Sequence, residues 1–152
     1  MTASTLNEDH LILIESIDHS HIRVVDERKK ETVLDVSLEQ YLDDICIRHG
    51  STLEGRTVCF AKTLGIRQKP AVLLSEMTGQ IFFPTESIRR NEHCALFSYQ
   101  HILRVRREKS GKTVVLFING YTYETDTDVR TIRRQMERCR HFLDILYHHE
   151  AA

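Results

Sequence analysis

The sequence lacks an apolar run of the roughly 18 residues that a membrane-spanning helix requires. Its first ten residues, MTASTLNEDH, also lack the basic and apolar segments of a secretory signal peptide. Hydrophobic and charged residues make up 41% and 28% of the chain, which is ordinary for a globular protein, and 152 residues can bury one core. We therefore expect a single cytoplasmic domain with no membrane partner.

Motifs for metal binding and redox chemistry are also missing. None of the four cysteines forms a CxxC pair, and none of the nine histidines forms HxxxH or HExxH. Because the cytosol keeps thiols reduced, we interpret each cysteine as a small buried hydrophobic residue. The sequence predicts neither a metal site nor a cofactor.

The motifs of nucleotide-binding and hydrolytic enzymes, GxGxxG, GxxxxGK[ST] and GxSxG, are absent. A pair such as Cys94 with His101 could come together in space, but no local signature supports it. Acidic neighbours such as Asp43 and Asp44 lie on the outer side of a predicted helix, where solvation explains them. We predict that the chain is not an enzyme and has no catalytic residue.

The net charge of −1 conceals a separation of charge along the chain. Residues 48–109 contain eleven Lys and Arg, eight of them Arg, against five Glu. Residues 1–47 contain eleven acidic and four basic residues, and the last 43 residues contain six of each. From charge alone, the basic stretch fits either nucleic-acid phosphates or an acidic protein surface, such as residues 1–47 of another copy.

The first 36 residues predict a meander of antiparallel strands. Residues 11–17 and 21–25 are rich in β-branched and apolar residues, and residues 18–20 provide a turn between them. A third strand is predicted at Thr32–Val36, after the charged turn DERKKE. We interpret the acidic residues of this region as a solvated sheet surface.

Two short helices are predicted in the centre of the chain. Ser37 with Gln40 forms a capping box before apolar residues at helical spacing, and Ser51 with Glu54 repeats that signal. A glycine ends each helix. Gly55 lies inside the second helix, where it costs about 1 kcal/mol relative to alanine. Either close packing or the approach of a ligand to the backbone would explain it, and we favour packing.

Most of the remaining chain predicts β-structure, with strands at residues 71–75, 80–83, 94–99, 102–106, 113–118 and 121–125. Asn119–Gly120 separates the last two strands and favours a type I′ turn. Residues 126–149 predict an amphipathic helix, capped by Thr125 or Asp126. Its apolar stripe comprises Val129, Ile132, Met136, Cys139, Leu143 and Leu146.

Arg130, Arg134 and Arg138 line another face of this C-terminal helix, which we interpret as a solvated face. Residues 1–152 therefore predict one α+β domain of mainly antiparallel strands and hairpins. Residues 1–36 form its N-terminal strands, and residues 37–125 form two short central helices and hairpins. Residues 126–149 form a C-terminal amphipathic helix.

Residues 49–102 contain four motifs that occur in this order: HGSTLEGR, LG followed by KP, IFFPTxS and EHCALFSYQHI. In these motifs the segment resembles the competence transcription factor (ComK) family. Weaker similarity extends from residue 37 to about residue 142. The resemblance implies a DNA-binding activator that recognises AT-rich promoters, largely through the minor groove, and binds as a homo-oligomer. It also implies control by an adaptor and protease system.

By position, the resemblance and the local positive charge give a candidate DNA-binding set: Arg56, Lys62, Arg67, Lys69, Ser87, Arg89, Arg90, Arg104 and Arg106. The family motifs also include positions that we interpret as scaffold: Gly50, Ser51, Gly55, Pro70, Phe82, Phe83, Pro84, Thr85, Cys94, Ser98 and His101.

The chain departs from the family pattern at two places. Leu96 stands where a tryptophan often follows the cysteine of the last motif, and Ala71 replaces a second proline after Pro70. Residues 98–126 also resemble the last strands of LytTR-type DNA-binding domains, which supports a sheet that presents loops to DNA. The alternative is a protein-interaction module or anti-regulator that keeps the scaffold without binding DNA.

Overall fold

The computed structural model describes residues 7–89 and 93–148. In chain order its strands and helices are β1 (Leu11–Asp18), β2 (His21–Asp26), β3 (Glu31–Leu34), α1 (Leu38–Arg48), α2 (Leu53–Leu64), β4 (Val72–Leu73), β5 (Ile81–Pro84), β6 (Ala95–Ser98), β7 (Ile102–Arg107), β8 (Thr113–Phe117), β9 (Thr122–Thr125) and α3 (Val129–His148). Short 3-10 turns precede β1 at Glu8–His10 and β7 at Tyr99–His101. The predicted α+β class, with antiparallel strands and three helices, is confirmed. No helix within the described ranges is long and apolar enough to cross a membrane.

The strands form two sheets. The larger has six strands in the order β3-β2-β1-β6-β5-β4, and the smaller has three in the order β7-β8-β9. The sequence predicts residues 94–99 and 102–106 as successive strands, and the structure places them in different sheets. The 3-10 turn Tyr99–His101 carries the chain from β6 in the six-stranded sheet to β7 in the three-stranded sheet.

Both faces of the six-stranded sheet are covered. On one face Phe82 packs in a cluster with Leu42 and Ile45 of α1. On the other, Phe83 packs with Phe117 of the three-stranded sheet and Phe142 of α3. Because neighbouring side chains of a strand point to opposite faces, burial on both faces explains the uninterrupted apolar runs of β5 and β6.

The structure confirms Ser37 as the first helix cap, but the Gln40 side chain bonds to Asp44 instead of completing the predicted capping box, and the predicted second cap is wrong. Ser37 caps α1, and its side chain accepts a hydrogen bond from Gln40 N at 3.2 Å. The cap of α2 is Thr52 rather than the predicted Ser51, and Thr52 Oγ1 accepts from Gly55 N at 2.9 Å. Ser51 instead belongs to the turn that ends α1, where its N–H donates to Cys46 O.

Gly55 follows this cap closely. A Cβ at Gly55 would lie 3.0 Å from Ser51 Oγ and 3.1 Å from Thr52 Oγ1, which is tighter than ordinary van der Waals contact. The predicted close packing at Gly55 is therefore confirmed, and the contact is with the capping turn itself.

The predicted type I′ turn at Asn119–Gly120 is wrong. Gly120 has a positive φ of 89°, whereas Asn119 does not. Gly120 N donates to Phe117 O at 3.0 Å and Phe117 N to Tyr121 O at 2.9 Å, which is a three-residue loop with its glycine in the left-handed region. Asn119 instead accepts from Tyr121 N and donates to Glu27 O, so its side chain serves a tertiary contact.

The C-terminal helix begins later than the sequence predicts. Asp128 Oδ1 accepts from Arg130 N at 2.7 Å, so Asp128 caps the helix that begins at Val129. Thr125 Oγ1 accepts from Thr127 N in the turn before it. In the predicted stripe, Ile132 and Cys139 are buried, but Leu146 in the last turns is exposed. Residue 149 lies outside the described ranges.

Candidate nucleic-acid interface

One group of side chains has the composition of a hydrolytic triad. Ser98 Oγ and His101 Nδ1 are 2.7 Å apart, and His101 Nε2 and Glu27 Oε1 are 2.8 Å apart. Ser98 is completely buried in β6, between the two packed faces of the large sheet. Because no substrate can reach its hydroxyl, this cluster holds turns together instead of cleaving bonds.

The cysteines give no reactive pair either. Burial raises the pKa of Cys46 and of Cys94 to about 11, so both remain neutral thiols. Cys94 Sγ donates to Glu86 O at 3.3 Å rather than to His101. Cys59 corrects a prediction: it is exposed, because it lies on the outer side of α2 while Phe60 faces the core. Within the described residues, no group of three or more His, Cys, Asp or Glu could hold a metal ion.

Among the candidate DNA-binding residues, Arg56 is held in the scaffold. Only 8% of it is exposed, and its Nη1 donates to Glu76 Oε1 at 2.8 Å. Its Nη2 donates to His49 O at 3.3 Å. These bonds fasten α2 to the end of α1 and to the β4–β5 turn, so the guanidinium is engaged away from any phosphate.

Arg67 and Lys69 lie in the segment between α2 and β4, which packs against α3. Gln135 is buried on α3, and its Nε2 donates to Lys69 O at 2.9 Å and to Pro84 O at 3.0 Å. Lys69 has a φ of 53°, in the left-handed region that side chains rarely adopt. The Gln135 bonds therefore fix a strained backbone at the position of a candidate cation.

The arginine row of α3 lies beside this segment. Arg138 Nη1 donates to Gln68 O at 3.4 Å, which places its guanidinium next to residues 67–69. Burial, and then the positive charge of Arg134, hold the pKa of Arg138 below its usual range. Two guanidinium groups that repel each other in this way favour the binding of an anion between them.

The other flank of α3 faces the small sheet. Arg133 Nη2 donates to Val105 O of β7 at 3.1 Å. On β7, Arg104 pairs with Leu116 and Arg106 with Val114 of β8, so both arginines alternate with the inward-facing Val105 and point away from the core. Three neighbouring elements therefore carry a set that we call the α3 basic group: Arg67, Lys69, Arg104, Arg106, Arg130, Arg133, Arg134 and Arg138.

Most of this group is not neutralised by acids. Across residues 7–89 and 93–148, Arg106 is the one member of this group in an ion pair, at 3.1 Å from half-buried Glu108. Arg140, further along α3, is different because Glu137 and Asp144 both bind it. Near the beginning of α3 the arginines are therefore open, by which we mean without an acidic partner among the described residues, whereas near its end Arg140 is neutralised by two acids.

The remaining candidates lie elsewhere. Lys62 is exposed in the last turn of α2, and Ser87 is half-buried in the loop after β5. Arg89 is exposed and lines a cavity of about 230 Å³ together with Glu39, Asp43 and Glu54. The structure thus places Arg89 beside acids of α1 and α2. Arg90 lies outside the described residues.

The motif positions interpreted as scaffold lie in turns, in the core or against it. Phe82 and Phe83 fill opposite faces of the sheet, and Thr85 Oγ1 both donates to Ala95 O and accepts from Ala95 N. Gly50 has a positive φ of 84° in the turn after α1. Pro84 accepts from Gln135, as described above.

Acidic residues gather in a cleft that reaches Thr127, two residues before the start of α3. This cleft of about 600 Å³ is lined in part by Glu15, Glu86, Glu124 and Asp126, from β1, the loop after β5, and β9 with the turn that follows it. Lys112 approaches Glu124 and Asp126 at 3.8 and 3.2 Å. Of these four acids only Glu15 belongs to residues 1–47, so the cleft does not follow from the acidic N-terminal part of the sequence.

The α3 arginines are the residues that the charge count overlooked. Residues 129–148 contain five Arg against Glu137 and Asp144, but Glu124, Asp126 and Asp128 just before the helix cancel this excess in a longer window. The i, i+4 row was visible in the sequence. The sequence did not show that α3 contacts Gln68 and Val105. Because of these contacts, the arginines of α3 belong to a larger cationic group and not to an isolated solvated face.

Comparison with known proteins gives one result. The family model described as ComK protein matches residues 3–150. No curated protein and no solved structure matches the chain significantly. Because the family match covers nearly the whole chain and agrees with the ordered motifs of residues 49–102, this protein belongs to the ComK family.

Proposed function

We propose that this protein is a sequence-selective transcriptional activator of competence that binds AT-rich promoter DNA through the α3 basic group. Membership of the ComK family gives the class of transcription factor. The observation that carries the DNA-binding proposal is the set of open arginines on the first half of α3, next to residues 67–69 and β7. It shifts the proposed contact from loops alone to a helix flanked by a loop and a strand.

The geometry of the arginine row suits a phosphate backbone. At about 1.5 Å of rise per residue, the row from Arg130 to Arg138 extends about 12 Å along the helix. Phosphates of one DNA strand recur about every 3.4 Å along the duplex axis, so a row of this length can reach more than one phosphate. Guanidinium groups bind phosphate oxygens in pairs and lose less hydration than ammonium groups do.

The β7 arginines have a different role in this proposal. Phosphate contacts fix the position of a protein on DNA, whereas groove contacts provide selectivity. Arg104 and Arg106 project from the outer face of the small sheet, and arginine is the side chain that the narrow minor groove of A-tracts attracts. We assign phosphate binding to α3 and groove contact to β7.

The family also supplies the proposed setting. The protein would act in the cytoplasm, bind double-stranded DNA as a homo-oligomer and be controlled by an adaptor and protease system. The acidic cleft and the α3 basic group carry opposite charge, which is compatible with contact between copies on adjacent DNA sites.

The test is a titration of a labelled AT-rich duplex of about 25 base pairs at several salt concentrations. The double variant Arg130→Gln with Arg134→Gln should make the negative slope of log binding constant against log salt shallower by about 1.8, because each phosphate contact contributes about 0.9. Affinity at low salt should fall roughly 10- to 100-fold. The matched control is Arg140→Gln, which removes an arginine already bound by Glu137 and Asp144 and should leave the slope nearly unchanged.

The proposal is wrong if wild-type protein binds no AT-rich duplex at low salt, or if the control and the double variant lose affinity equally. The alternative function, a protein-interaction module or anti-regulator that keeps the scaffold, rests on the acidic cleft and the net charge of −1. That alternative gains support from the first outcome, combined with an intact fold in circular dichroism.

A further inference from the structure

Strand β7 contains an exposed leucine at an irregular position. Ile102 pairs with Phe117 and Arg104 pairs with Leu116, so two steps along β7 correspond to one step along β8. Leu103 is therefore the extra residue of a β-bulge and has no partner of its own on β8. Its side chain is 58% exposed, although Ile102 before it packs against the core.

The bulge explains why Leu103 shares a face of the small sheet with the β7 arginines. In a regular strand neighbouring side chains point to opposite faces, so Leu103 and Arg104 would lie on opposite sides of the sheet. Both are exposed, whereas the next residue, Val105, is buried. A bulge re-aims a side chain in this way. The outer face of β7 thus carries an apolar side chain directly before Arg104 and Arg106.

A second exposed apolar residue lies close to the bulge. Ile118 is 59% exposed, and its N–H donates to the carbonyl of His101 at 2.8 Å, two residues before Leu103. Single exposed apolar residues are common on proteins and need no explanation. Here two of them lie at the same end of the small sheet, next to cations of the α3 basic group. This surface combines apolar contact with positive charge.

The strand that carries Leu103 is firmly held. Most of β7 pairs with β8, Val105 is buried, and Arg133 Nη2 donates to Val105 O at 3.1 Å. Side chains on such a supported strand keep their position better than side chains on a loop. Leu103 is therefore a fixed apolar projection, and its exposure is a property of the fold.

We propose that Leu103 is an apolar wedge that inserts between two base pairs of bound DNA from the minor groove, at a flexible TA step. This inference rests on the proposed function, in which Arg104 and Arg106 bring the outer face of β7 to the groove. Leucine and isoleucine are among the side chains that unstack a base step in this way and kink the duplex. Ile118 contacts the sugars beside the wedge.

The cost of deforming DNA gives the wedge its selectivity. Unstacking costs least at pyrimidine–purine steps such as TA, whereas an A-tract without such a step is stiff. The phosphate contacts of α3 are insensitive to this difference because every sequence has the same backbone. Leu103 thus distinguishes AT-rich sequences of identical composition, which the arginine row alone does not.

The test compares two AT-rich duplexes of equal length whose centres read TTTTAAAA or AAAATTTT. Their composition is the same, and only the first has a TA step at its centre. Wild-type protein should bind the first roughly three- to tenfold more tightly. The fluorescent base 2-aminopurine, placed at the adenine of the central step, should brighten on binding in the first duplex only, because it brightens when it is unstacked.

Two substitutions at Leu103 and one control assign this effect. Leu103→Ala should bring the affinity ratio of the two duplexes to about one and abolish the fluorescence increase, because alanine is too short to separate base pairs. It removes no charge, so the salt slope should not change. Leu103→Met keeps a long apolar side chain and should retain most of both effects. The control is Ile47→Ala on α1, which truncates a side chain that is 55% exposed and should leave the ratio unchanged.

Wild-type ratio and fluorescence in Leu103→Ala would overturn the wedge, as would an equal loss in Ile47→Ala. Binding of both duplexes by wild type, with equal affinity and no fluorescence change, would refute the wedge and leave the proposed function intact. If wild type binds neither duplex, the proposed function fails and the wedge fails with it. Sedimentation without DNA should give wild type and Leu103→Ala the same mass. A wild-type oligomer that Leu103→Ala dissociates would assign Leu103 to a contact between copies and overturn the wedge.

Discussion

Helices α1 and α3 cover opposite faces of the same sheet, and they differ in whether their charged side chains are bonded within the fold. The acids of α1 are used within the fold: Asp43 Oδ1 accepts from Leu53 N at 2.9 Å, and Asp44 Oδ1 accepts from Gln40 Nε2 at 2.7 Å. Its one arginine, Arg48, binds Glu8. Across the sheet, Arg130 and Arg134 of α3 have no acidic partner among the described residues.

This comparison shows that unengaged charge marks a candidate site better than the sign of the charge does. An ion pair or a capping bond already satisfies a charged group, so a ligand must displace a partner to use it. An open guanidinium on a rigid helix has no such partner. Substitutions on and around the two helices therefore test this difference between α1 and α3.

The largest effect is expected at the joint between α3 and residues 67–69. Gln135→Ala should lower the free energy of unfolding by about 2–3 kcal/mol, because Lys69 O and Pro84 O lose a buried donor. DNA affinity should also fall, since the Lys69 backbone is no longer fixed. Urea unfolding and the duplex titration measure the two effects.

The matched control for Gln135 lies on α1. Gln40→Ala removes an exposed amide whose side chain bonds to Asp44, and it should change stability by less than about 0.5 kcal/mol. Equal losses from the two substitutions would show that Gln135 does not fix residues 67–69.

The second effect is smaller and falls on the acidic helix. Asp43→Ala removes the acceptor for the first N–H of α2 and should cost about 1 kcal/mol of stability. Asp43→Asn keeps a carbonyl acceptor and should recover most of that loss. Neither substitution should change the salt slope for DNA, and a changed slope would place α1 at the DNA surface.

The local elements were largely predictable, and their assembly was not. Ser37, the glycines after α1 and α2, and the apolar runs of β1 and β5 are local signals, and the structure confirms the elements they predict. The pairing of β1 with β6 joins Glu15 to Ala95, which no local pattern specifies. For the same reason the division of the strands into two sheets could not be inferred.

The candidate site was likewise predictable in its charged residues but not in their tertiary partners. The sequence predicts Arg67, Lys69, Arg104 and Arg106 from local charge, and the structure places them beside α3. Arg56 looked equivalent in the sequence, but it is itself buried, and Glu76, twenty residues away, binds its guanidinium. A cation's availability depends on its tertiary partner, and this information is missing from a charge count.

The smallest effect concerns the pH dependence of the α1 ion pair. Burial alone would raise the pKa of Glu8, but hydrogen bonds from its own backbone and from Arg48 bring it below its usual value of 4.5. A depressed carboxyl pKa contributes stability above pH 4.5, and this contribution is lost as the pH falls through the lower value in the folded state. Arg48→Gln should therefore cost about 0.5 kcal/mol at pH 7, because the pair is partly exposed. Thermal unfolding should show the wild type and Arg48→Gln converging below pH 4, and a gap that persists at pH 3 would mean that Arg48 stabilises α1 by packing rather than by its charge on Glu8.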